Sequence, residues 1–128
     1  VPLKLLFAPT VIVLTIPLIA IAADPQLVHL SVKDAPVENG KVLDMEFQEI
    51  DRKAESSTVQ IIRRSGGSVS SSMFVLKGMC AIARSRGEQY FVTEKVVNED
   101  ERYTVTFPKT PPERGKGFAI AQCDLLRY

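Results

Sequence analysis

Ser68–Gly87, reading SVSSSMFVLKGMCAIARSRG, decides the fold. Val69, Met73, Leu76, Cys80 and Ala83 recur at steps of four, three, four and three, which puts them on one helical stripe. Val75, Met79 and Ile82 widen that stripe, and Lys77 and Arg84 occupy a narrow opposite strip. So wide an apolar arc predicts a helix over 68–87 that other structure mostly covers. Serine at 68 or 70 is placed to cap the first turn, and Arg84 and Arg86 suit the negative end of the dipole. Gly87 is a natural left-handed stop.

Working outward, Gly78 sits inside this helix at a cost of about 1 kcal/mol relative to alanine, which calls for a close neighbour. The C-terminal run Phe118-Ala-Ile-Ala-Gln-Cys123, read as part of a strand over 117–125, offers one. In that reading Ala119, Ala121 and Cys123 share a face, and small side chains opposing small ones bring Cys80 and Cys123 together. A disulfide between them closes a loop of about 44 residues and stabilises by about 4 kcal/mol. The alternative, that one cysteine is a catalytic thiol, has no partner motif behind it.

Upstream, Val1–Ala22 joins an early Lys4 to a long apolar run ending in Ala20-Ile21-Ala22, an A-x-A pattern suited to a signal peptidase. The segment is expected to be an export signal over 1–22, with an uncleaved anchor as the rival reading; Pro9 and Pro17 weaken a continuous helix there. The remainder, 23–128, is expected to be one small domain. The chain has 16 Lys+Arg and 15 Asp+Glu, and Lys4 is the one charge in the export segment, so 23–128 is neutral. Neutrality argues against a nucleic-acid partner, whose affinity rests on excess positive charge. Export and a cysteine pair agree, because oxidising compartments let disulfides persist. The expected address is periplasmic or extracellular, with membrane contact only through an uncleaved N-terminus.

The rest reads as strands. Asp24–Asp34 alternates Val28, Leu30 and Val32 with His29 and Ser31, and Lys41–Ile50 alternates Leu43, Met45 and Phe47 with Asp44, Glu46 and Gln48. Between them, 34–40 is turn chemistry, and 51–57 is a charged loop. Thr58–Arg64 is a third strand leading through Ser65-Gly66-Gly67 into the helix. Gln89–Val97 and Arg102–Phe107 flank Asn98–Glu101 as a hairpin, and the proline-rich 108–116 precedes the last strand. Three strands, one helix and three strands predict an α+β fold: an antiparallel sheet of about five or six strands with one main helix across one face. A small barrel with the helix over its mouth is the competing topology.

Four constellations bear on chemistry. Arg63, Arg64, Ser65, Gly66, Gly67 and Ser68 lead a strand into a helix start and form a possible anion site, though no phosphate-loop spacing closes it; the plain reading is a glycine turn. His29 is the one histidine, which excludes a histidine-rich metal site, and on a polar strand face it reads as surface. Asn98–Glu101 lacks calcium-loop spacing. If Ala119, Ala121 and Cys123 face the helix, then Phe118 and Ile120 point to the other side of the sheet, where the register decides whether Tyr90, Val92 and Val96 join them, and such an apolar face often marks a contact surface. No cofactor is implied. The expectation is a non-enzymatic exported domain acting through protein contact or self-association, as an inhibitor, adaptor or envelope accessory protein. The alternative is an anion or small-ligand binder using the Gly/Ser loop, and a hydrolase or thiol enzyme ranks last.

Overall fold

The computed structural model describes residues 9–16, 26–36 and 40–128. The Ala20-Ile21-Ala22 pattern and 37–39 lie outside them, whereas 34–36, expected to belong to a turn over 34–40, continue the first strand. Six strands form one antiparallel sheet: β1 (His29–Pro36), β2 (Val42–Arg52), β3 (Ser56–Ser65), β4 (Tyr90–Lys95), β5 (Arg102–Thr106) and β6 (Phe118–Ala119), in the order β1-β2-β3-β5-β4-β6. The main helix α1 (Ser68–Arg86) connects β3 to β4, and a short α2 (Ile120–Leu125) follows β6. The fold is α+β, as the periodicity predicts. The order has two ends, so the sheet does not close into a barrel.

β3 and β4 both run antiparallel to β5, which lies between them. The helix therefore crosses over a one-strand gap that β5 later fills. Strand periodicity sorts the two faces. Leu43, Met45 and Phe47 of β2, Val59 and Ile61 of β3, Phe91 of β4 and Val105 of β5 are buried against α1. Met79, Ile82 and Ala83 close the core from the helix. Fully burying each of the larger side chains stabilises by about 1.5–3 kcal/mol. The opposite face carries His29, Glu46, Gln48, Gln60, Arg102 and Thr104 across four strands and is mostly polar there, with Ile62 beside Glu46. Alternation places Ile50 on the outer face, 41% exposed, and the register shifts by a β-bulge between Glu49 and Asp51.

The helix differs from expectation at its start. Its N-cap residue is Gly67, which carries no side chain to form a cap hydrogen bond, so the N-cap position is not held by a serine. Its end follows the sequence: Gly87 is left-handed at φ 66°, its amide donates to the Arg84 carbonyl, and Glu88 donates to that of Ala83.

Two larger corrections concern what faces α1. The expected strand over 117–125 breaks after two residues, and Cys123 sits on α2. The Gln122 side chain accepts from the Ala119 amide at 2.9 Å, a helix-starting contact that withdraws this amide from any ladder. Alternation over so short a run does not separate strand from helix. The atoms nearest to Gly78 belong to Phe47 of β2 and not to the C-terminal run. A Cβ added there would lie 2.4 Å from the Phe47 ring, so glycine is required to seat that phenylalanine.

Candidate functional site

The two halves of α1 are held very differently. Its C-terminal half is fastened on two flanks. Cys80 is disulfide-bonded to Cys123, both fully buried, and Arg84 donates to the Tyr128 carbonyl and the Asp124 carboxylate. On the other flank Arg86 donates to the carbonyls of Lys53 (2.9 Å) and Ala54 (2.8 Å) and lies over the Phe107 ring at 4.5 Å.

Beneath this flank lies a buried carboxylate. Glu49 accepts from Arg52 Nε at 2.8 Å and Nη2 at 2.6 Å, from Ser57 Oγ at 2.6 Å and from the Val28 amide at 3.0 Å. Burial raises the Glu49 pKa, but the bonds from Arg52, Ser57 and Val28 outweigh it and hold the group below the usual carboxylate range. The cluster joins β2, β3 and the residue just before β1, with Ser85 of α1 within 3.2 Å of Arg52. Every Glu49 oxygen is occupied by protein donors, so the cluster acts as a fastening.

Among the described residues no disulfide or ion pair ties the N-terminal half of α1. Along its stripe, Ala83 and Cys80 are buried, Leu76 and Met73 are half-buried, and Val69 is 67% exposed. A cleft of about 230 Å³ opens beneath it. Ser72, Val75, Leu76 and Met79 form the roof. Phe91, Thr93 and Tyr103 form the floor, with Phe118 stacked on Phe91 at 5.3 Å. The one cation lining it, Arg63, has its Nε 3.4 Å from Glu101 Oε1. Burial, then the charge of Glu101, pushes the Tyr103 hydroxyl pKa up, so the phenol stays neutral. Glu101 is left-handed at φ 51° and is fixed there because its carbonyl accepts from the Ile61 amide at 2.9 Å. With Arg63 matched by Glu101, the cleft offers an apolar interior and a charge-balanced mouth. That chemistry suits an apolar side chain better than a free anion.

The residues singled out from sequence are scattered by the fold. Arg63 and Arg64 point to opposite faces of β3. Arg64 pairs with Glu46 at 2.6 Å and Asp44 at 3.3 Å, and the Arg64 bond, against a smaller opposing effect of burial, lowers the Glu46 pKa. Ser65 and Ser68 are exposed, while Gly66 packs on Leu43 and Ser71, and Gly67 is buried. The six residues thus do not converge on one anion. His29 lies 3.3 Å from Glu46 on the polar face. Phe118 and Ile120 do not share a face with Tyr90 and Val92: both pack against the core. Tyr90 and Val92 do occupy the outer face, where Val92 meets Gly117 of the loop before β6.

Sequence reasoning missed the pairing of Val75 and Leu76 with Thr93 and Tyr103. The signal was present in the width of the helical stripe, which exceeds what two short C-terminal elements cover. Among the described residues no cluster of His, Cys, Asp and Glu suits a metal ion, and no helix is long and apolar enough to cross a membrane. No family model, curated protein or solved structure matches this chain.

Proposed function

We propose that this chain is a non-enzymatic binding domain of an oxidising, exported compartment, periplasmic or extracellular, and that it seats an apolar group of a protein partner under the N-terminal half of α1. One observation carries the reading: an apolar helical stripe is sealed by α2 at Cys80 and grows more exposed through half-buried Leu76 and Met73 to exposed Val69, beside a cleft that Ser72, Val75, Leu76 and Met79 roof. The Cys80–Cys123 bond fits an oxidising compartment and takes both thiols out of nucleophilic chemistry.

The test is site-specific photocrosslinking in the cells that make the protein. A photoreactive side chain at Ser72, on the cleft rim, is expected to give one discrete protein adduct. The same group at Thr104, on the polar sheet face, is expected to give none. Equal adducts from both positions, or none from Ser72, would reject the cleft as the contact surface.

A further inference from the structure

We infer that the partner enters as an extended strand, added to the open edge of β4 beside β6, with one apolar side chain in the cleft and an acidic one against Lys95. This rests on the binding reading above and specifies its chemistry.

Backbone direction identifies the open edge. In β4, Gln89 accepts from Ile120 on the β6 side, whereas the Val96 amide, just past the strand, donates to Arg102 beside β5. Alternation therefore turns Phe91, Thr93 and Lys95 toward β6 and beyond. But β6 pairs only with Tyr90 and Phe91. Lys116, which would oppose Thr93 if β6 continued, instead donates its amide to the Glu113 carbonyl at 2.8 Å in a turn. Thr93 and Lys95 thus present backbone donors and acceptors to no strand among the described residues. Directly above them the helix layer is also unfinished, because Leu76 and Ser72 stand where α2 no longer reaches.

Thr93 lines the cleft and Lys95 shares its face, paired across the ladder with Tyr103. A strand added here directs the residue opposite Thr93 under Leu76, which selects an apolar side chain. The residue two positions away falls opposite Lys95, which has no ion pair among the described residues, and there a carboxylate is favoured. Strand addition of this kind draws affinity from main-chain bonds and specificity from alternate side chains.

A second copy of this chain fits the edge poorly. Antiparallel self-pairing that matches the outward residues places Glu94 opposite Glu94, or Lys95 opposite Lys95, or runs Lys95 into the position β6 holds beside Phe91. Like charges directly opposite destabilise a pair.

The test selects a random heptapeptide display library on the disulfide-bonded chain and titrates the best resynthesised peptide. Enriched peptides are expected to carry an acidic residue two positions from an apolar one. Leu76→Glu should abolish binding. Thr93→Pro, tolerated on an edge, removes the outward donor and should weaken it roughly tenfold. N-methylation of the peptide backbone should weaken it without touching the protein. Lys95→Glu should weaken the acidic peptide and restore affinity for its lysine counterpart. Binding lost with Leu76→Glu yet indifferent to Thr93→Pro and to N-methylation would overturn the strand while leaving the cleft reading intact. Binding indifferent to Leu76→Glu would sink both. Failure to enrich any peptide, or dimerisation of the chain alone in sedimentation, would overturn the proposal in favour of a compact ligand or a second copy.

Discussion

The C-terminal half of α1 and its N-terminal half belong to one helix, yet only the first is built as core. From Gly78 to Ala83 four residues besides the glycine and Ala81 are buried, and the flanks are tied by a disulfide and two arginines. From Ser68 to Lys77 the one buried residue is Ser71, and Val75 and Leu76, packed only in part on the core, roof a cleft. The contrast teaches that helix amphipathicity and helix burial are separate facts. The stripe is continuous in sequence, but the layer meant to cover it stops halfway.

The largest way to break the contrast is to cut the clamp. Replacing Cys80 and Cys123 by serine should cost about 4 kcal/mol, given a sequence separation of 43, as measured by urea unfolding. A loss under about 1 kcal/mol would mean that packing alone holds this half.

Next comes the buried carboxylate. Glu49→Gln leaves the Arg52 guanidinium, 11% exposed, without its counter-charge, and should cost about 3 kcal/mol. The acid limb offers an independent reading. Because the folded-state pKa of Glu49 is depressed, its contribution is complete above the unfolded carboxylate value of about 4.3 and is lost as pH falls through the folded one. Wild-type stability should therefore fall below about pH 4 more steeply than that of Glu49→Gln.

A smaller effect is expected at Gly78. Alanine gains about 1 kcal/mol of helix propensity but drives its methyl into the buried Phe47 ring, an overpacking of about 1–3 kcal/mol. Net destabilisation of roughly 1 kcal/mol in thermal unfolding is the outcome. A stabilised Gly78→Ala would show that the ring has room to yield.

The smallest effect sharpens the contrast. Val75→Ala, in the cleft roof, should cost under about 1 kcal/mol, whereas Ile82→Ala, fully buried one half further on, should cost about 3 kcal/mol. Equal costs would erase the distinction between the halves.

Much of this was legible in the residues. The helix, its glycine stop, the cysteine pair and the alternation of Leu43, Met45 and Phe47 all follow from periodicity and chemistry that act locally. The C-terminal run was not, because Ala, Ile and Cys in so short a stretch alternate as a strand and also fit a helical turn. That one misreading moved Phe118 and Ile120 to the wrong side of the sheet and with them the expected contact face. The cleft itself was hidden for a different reason. It depends on where β6 stops relative to β4, a register that no local pattern of residues encodes. Glu49 was likewise unreadable, since a carboxylate at the end of an alternating strand looks solvated until Arg52 of the same strand, Ser57 of the next and the Val28 amide are placed around it.

Amide hydrogen exchange along α1 tests the division most directly. Amides over Gly78–Ala83 should exchange only through global unfolding, and those over Ser72–Leu76 through local opening at least tenfold faster. Uniform protection along the whole helix would contradict the account.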